Sequence, residues 1–104
     1  MIKVIVDNNK IVVSGHANFD EYGKDIVCAS VSSIVITTIN ACIEIDGEAI
    51  YYEENDNKIL IEIKKDNEVI KKLIDNMVFM LKSLEKDYPK NIKVGGSNLW
   101  WKWF

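Results

Sequence analysis

The sequence offers little material for metal, disulfide or redox chemistry. Its 104 residues include one histidine, one proline and two cysteines. The cysteines, Cys28 and Cys42, do not form a CxxC pair, so a dithiol redox role has no support. Both fall in a segment read as helical. Fourteen helical residues separate them by roughly 21 Å, too far for a disulfide within one subunit. A zinc site built from His16, Cys28 and Cys42 fails for the same reason, and no metal or other cofactor is expected. Two free thiols fit a reducing compartment. The 13 Lys and Arg residues are spread along the chain and the net charge is −3, so there is no basic stripe to bind nucleic acid. No apolar run reaches the roughly 18 uninterrupted residues of a membrane span. The opening MIKVIVDNNK lacks the apolar centre of a signal peptide. The expectation is a cytoplasmic protein without membrane contact.

What is present reads as one folded domain over residues 1–104, with 48% hydrophobic residues and no repeat or low-complexity tract. Ile2, Val4 and Val6 alternate with other residues, Asp7-Asn8-Asn9-Lys10 supplies turn chemistry, and Ile11–Ser14 resumes extended structure: a β-hairpin. Gly15–Lys24 reads as a polar loop with glycines near both ends, Gly15 and Gly23, that would let it hinge. From Asp25 to about Glu44 the chain is rich in β-branched residues. Twenty residues without a breaker nonetheless favour a helix, apolar on most sides and therefore largely buried. Ala49–Glu54 and Lys58–Lys64 flank the turn Asn55-Asp56-Asn57 as an antiparallel pair. Asp66–Tyr88 carries Ile70, Leu73, Ile74, Met77, Leu81, Leu84 and Tyr88 at helical spacing, with Asp66 or Asn67 to cap its start and Pro89 to stop it. Ile92–Val94 adds a short last strand before Gly95-Gly96. The fold class is α+β: a small, largely antiparallel sheet with two helices, in the order ββαββα plus a short C-terminal strand.

Cys28 lies three residues after the proposed cap Asp25, in what is read as the first helical turn. Helix starts carry unpaired N–H groups and partial positive charge. These favour a thiolate, the attacking form of cysteine, and offer donors to an oxyanion forming beside the sulfur. His16, in the preceding loop, has the chemistry to take the thiol proton and return it to a leaving amine. The same residues have plainer readings: Cys28 as a small packed hydrophobe and His16 as an idle surface side chain. Asp25 either caps the helix or orients His16. Ser32, one turn beyond Cys28 on the same face, either lines the site or bonds back to a helical carbonyl. Cys42 is read as packed core.

The segment GHANFDEYGKDIVCASVS, Gly15 to Ser32, resembles the ribosomal processing cysteine protease family, Prp. The family pattern is a Gly-His pair, a Gly-containing loop, then Asp-x-Val-Cys-Ala and small residues. It meets Gly15, His16, Gly23, Asp25, Val27, Cys28, Ala29 and Ser32 here. The later order of hairpin and amphipathic helix is similar as well. The resemblance implies a thiol protease in which Cys28 is the nucleophile and His16 the general base and acid. The family's aspartate falls at Asp25, as orienter of His16 or as helix cap, with Gly15, Ser32 and Gly23 near the bound peptide. It further implies a homodimer that removes the N-terminal extension of ribosomal large-subunit protein twenty-seven, cleaving just after aromatic residues, in ribosome maturation. The Trp-rich end, with Trp100, Trp101 and Trp103, departs from the pattern. It reads as cover for the core or a dimer contact, or as an aromatic surface near the peptide groove; a third reading, interfacial membrane anchoring, has few residues to rest on. The competing reading of the whole chain is a non-catalytic dimeric module that binds a ribosomal protein or assembly intermediate.

Overall fold

The computed structural model describes residues 1–15, 22–55 and 57–99. The elements run β1 (Ile2–Asn8), β2 (Lys10–Ser14), α1 (Tyr22–Asp46), β3 (Ile50–Asn55), β4 (Lys58–Ile63), α2 (Glu68–Asp87) and β5 (Ile92–Leu99). The α+β class and the ββαββαβ order agree with the sequence reading. The five strands form one sheet in the order β3-β4-β2-β1-β5. All neighbours are antiparallel except β1 and β5, which run parallel.

Alternation sets the sheet's two faces. Ile2, Val4 and Val6 of β1, Ile11 and Val13 of β2, and Ile61 and Ile63 of β4 are buried in one core with both helices. The β1–β2 turn passes through Asn8, whose φ of 56° lies in the left-handed region that asparagine tolerates. Asn9 then ties the hairpin to the end of β4. Its Nδ2 donates to the Ile63 carbonyl at 3.2 Å, and the Ile63 N–H donates to the Asn9 carbonyl at 2.8 Å.

α2 follows its helical stripe closely: Ile70, Ile74, Met77 and Leu81 are buried, with Leu73, Leu84 and Tyr88 packed alongside. Asn67 is the cap, its side chain accepting from the Val69 and Ile70 N–H groups at 2.9 and 3.1 Å.

Four expectations need correction. First, α1 begins at Tyr22, so Gly23 and Asp25 have helical backbone and only residues 15–21 separate it from β2. A helix can absorb a glycine at about 1 kcal/mol, and here Tyr22-Gly23-Lys24 is already wound. Gly23 is therefore no loop hinge, and Asp25, the fourth helical residue, is not the cap. Second, α1 is not largely buried. Val27, Val31, Val35, Ile39 and Cys42 form one buried stripe, while Ile26, Ile43 and Ile45 are exposed. Its outer side carries Ser33, Thr37 and Asn40, small polar residues that let the helix read as apolar all round. Third, Ile26–Asp46 does have the length and mean hydropathy, 2.0, of a membrane-spanning helix. Its buried stripe nevertheless belongs to the same core as the sheet. Fourth, β5 does not stop at Val94. Gly96, at a φ of 99°, lies so close to the Val6 carbonyl that a Cβ would collide with it, so this glycine carries the strand past β1 instead of ending it.

Met77→Ala is expected to cost about 2–5 kcal/mol in denaturant unfolding, because its buried side chain leaves a cavity. Met80→Ala, three residues on and 42% exposed, should stay within about 0.5 kcal/mol of the parent.

Candidate active site

The α1 stripe fixes the place of Cys28. At about 100° per residue Cys28 shares the phase of the buried stripe, but it lies about two turns from the start of α1, where the contact with the sheet opens on a cavity. It is half-buried and packs against the core from the side. Its thiol side opens on a cavity of about 90 Å³ between α1 and one end of the sheet. Ser32, one turn on and exposed, lines the same cavity. The back-bonding pattern considered for serine is made instead by Ser30 and Thr38, to the Ile26 and Ile34 carbonyls at 2.8 Å each.

Gly15 forms another part of the wall. Its φ of 86° is left-handed, and a Cβ there would run into the Met1 carbonyl. Its N–H donates to the Asn57 carbonyl at 3.1 Å. Gly15 is thus held between the start of β1 and the β3–β4 turn, and the expected hinge is a fixed point at this end. The chain leaves this point toward His16, which lies outside the described residues, as do Trp100, Trp101 and Trp103. The structure brings Gly15, Cys28 and Ser32 to one cavity. It places Gly23 and Asp25 in the backbone of the helical turn before it.

Cys28 is not in the first turn of α1. It is the seventh residue, about 9 Å along the axis from the start at Tyr22, whereas the unpaired N–H groups belong to the first turn. The helix start therefore does not lie beside the sulfur, because the helix begins three residues earlier than the sequence reading had it. Cys42 is a different kind of thiol. It is wholly buried, and burial pushes its pKa from 9.0 up to about 11, leaving it protonated and inert near neutrality.

The cavity also takes in Glu54, Asn55 and Asn57, which sequence reasoning treated only as strand end and turn. Their signal was absent because their approach to α1 comes from sheet pairing across more than twenty residues.

The family model of the cysteine protease Prp matches residues 1–93. This chain belongs to the Prp family. It is 31% identical over 87 residues to the ribosomal processing cysteine protease Prp of Staphylococcus aureus, covering 81% of this chain and 82% of that one. It is 33% identical over 92 residues to the Bacillus subtilis Prp, covering 79% and 80%. The Mycoplasma genitalium Prp is 34% identical over 104 residues, covering 90% and 94%. Among solved structures, the S. aureus Prp in complex with a substrate peptide superposes with a TM-score of 0.85 at 26% identity, covering 93% of this chain and all of that one. Family membership makes the chain a cysteine protease, and of its two cysteines Cys28 is the one that faces a cavity. The Trp-rich end lies beyond the matched Prp residues.

Gly15→Ala is expected to cost roughly 2–4 kcal/mol in chemical unfolding, since it adds both backbone strain and a clash with a main-chain carbonyl. Gly47→Ala, whose Cβ would meet the Ile43 carbonyl at 3.6 Å, is the control and should change stability by no more than about 0.5 kcal/mol.

Proposed function

We propose that the chain is a cysteine endopeptidase of ribosome maturation that removes the N-terminal extension of ribosomal large-subunit protein twenty-seven, cutting after aromatic residues. The observation that carries this reading is the half-buried Cys28 at a small cavity shared with Gly15 and Ser32, in a chain of the Prp family. The relatives' names supply the ribosomal substrate, and the S. aureus relative has been solved with a substrate peptide and with a covalently linked product peptide.

In this reading His16 takes the proton from the Cys28 thiol, and the sulfur attacks the scissile carbonyl carbon. The tetrahedral intermediate collapses as His16 returns the proton to the leaving amine, which departs as the new N-terminus of the mature protein. A thioester joins the extension to Cys28. His16 then takes a proton from water as the oxygen attacks the thioester carbon, the C–S bond breaks to release the extension as a carboxylic acid, and His16 returns the proton to the Cys28 sulfur. Asp25 orients the imidazole, one turn ahead of Cys28 on the same helix. The reaction needs no cofactor or metal. The enzyme works in the cytoplasm on a protein, as a homodimer, without contacting nucleic acid or membrane. The exposed Phe79 and Met80 on α2 supply apolar surface that a second copy would cover.

The test is mass spectrometry of the unprocessed ribosomal protein after incubation with the enzyme. Wild-type protein should convert it to a single shorter species that begins just after the aromatic residues. Cys28→Ala should leave it intact. Cleavage that persists in Cys28→Ala, or a substrate untouched by the wild type, contradicts the assignment.

A further inference from the structure

The strand that carries one wall of the Cys28 cavity is an edge of the sheet. β3 pairs with β4 on one side, and no other strand among the described residues pairs with the opposite side. After Ile50 every residue of β3 is exposed. An uncovered edge presents a row of main-chain donors and acceptors to any extended chain that reaches it.

The register says which groups those are. The Lys64 N–H donates to the Ala49 carbonyl at 2.7 Å, which makes Ala49 and Lys64 a hydrogen-bonded pair of the antiparallel ladder. Such pairs alternate with non-bonded ones. Tyr51 opposite Glu62, Glu53 opposite Leu60 and Asn55 opposite Lys58 therefore bond inward to β4. Ile50, Tyr52 and Glu54 direct their N–H and C=O groups outward, to the free edge. The same three side chains share the helix-facing side of the sheet with Ile63, Ile61 and Ile59. Glu54, the last of them, lines the Cys28 cavity together with Asn55. The open edge thus runs into the cavity without a break.

We infer that the substrate peptide binds as a sixth strand on β3, hydrogen-bonded to the outward main-chain groups of Tyr52 and Glu54, with its scissile bond at the Glu54–Asn55 end beside Cys28. This rests on the proteolytic reading above and adds the mode of recognition. The ligand is an extended, unstructured peptide segment held by its backbone, which is how a flexible N-terminal extension differs from the folded protein that follows it. A helix or an interior strand has its main-chain groups already paired and cannot dock in this way, so the edge selects for an extended, unpaired segment before any side chain is read.

Proline separates the two faces of the strand. At Tyr52 it removes an N–H that points outward and leaves the ladder to β4 intact. The experiment measures kcat and KM for Tyr52→Pro on a synthetic peptide spanning the extension, its aromatic residues and the first mature residues. A parallel series uses wild-type enzyme and peptides carrying one N-methylated amide at successive positions. Tyr52→Pro should raise KM on the order of tenfold with little change in kcat. The methylated peptides should lose cleavage efficiency at every second amide, the period of a paired strand. If wild-type enzyme cleaves the peptide but neither Tyr52→Pro nor any methylation moves KM more than about twofold, backbone pairing is overturned and the proteolytic reading stands. An unchanged KM together with an altered oligomeric state on size exclusion makes β3 a contact between copies and also overturns it. Should Tyr52→Pro fail to fold, the methylation series on wild-type enzyme decides alone. A peptide that wild-type enzyme does not cut at all overturns both readings.

Discussion

The stripe of Val27, Val31, Val35, Ile39 and Cys42 presses α1 onto the sheet, and the rotation this imposes decides what each other side chain of the helix can reach. Burying a valine or isoleucine side chain is worth about 1.5–3 kcal/mol, so five consecutive stripe positions hold the rotation far more firmly than any single polar contact does. Cys28 has the phase of that stripe but lies near the start of the helix, where the packed contact gives way to the cavity. Cys42 belongs to the stripe itself and is buried beyond reach. Two thiols of nearly the same helical phase thus acquire opposite chemistry from their places along the helix, roughly 21 Å apart: one opens on a cavity, and the other is pushed up to about 11 by its dry surroundings.

The other side of the cavity is made by constraints from distant parts of the chain. Gly15 is pinned by the Met1 carbonyl and by its hydrogen bond to Asn57. The end of β2, the start of β1 and the β3–β4 turn therefore meet at one point, directly across from α1. β3 is the edge strand that leads from solvent to this point. The fold places a nucleophile candidate, a fixed main-chain corner and an open strand edge at one end of the sheet, an arrangement suited to a protease that acts on an extended chain terminus.

Periodicity made most of the fold legible. The alternation of Ile2, Val4 and Val6, the Ile59–Ile61–Ile63 run and the α2 stripe each appear where the sequence put them, because local pattern and burial agree there. The misreadings arose where two signals have the same local appearance. Serine, threonine and asparagine on the outer side of α1 are small and uncharged, so an exposed face read as a buried one. Gly95-Gly96 read as a strand end because glycine marks both breaks and close backbone approach, and only the β1 partner shows which applies. Asp25 resembles a helix start because aspartate caps helices, but Tyr22-Gly23-Lys24 is already helical and Cys28 falls a turn deeper. At the site, helical spacing puts Ser32 on the face of Cys28, and the motif adds Gly15 and Gly23; Gly15 shares the cavity with Cys28 and Ser32, while Gly23 is helical backbone. Glu54, Asn55 and Asn57 were invisible to the motif, since only strand pairing brings them to the cavity.

The central claim is that Cys28 is a sulfur activated by His16 and not a packed hydrophobe. The direct measurement is the rate at which iodoacetamide modifies Cys28 at neutral pH, followed by peptide mapping, in wild-type protein and in His16→Ala. Wild type is expected to react faster at Cys28 by about tenfold or more, with Cys42 unmodified in the folded state. Equal rates in the two proteins, at the slow pace of an ordinary thiol, would contradict it.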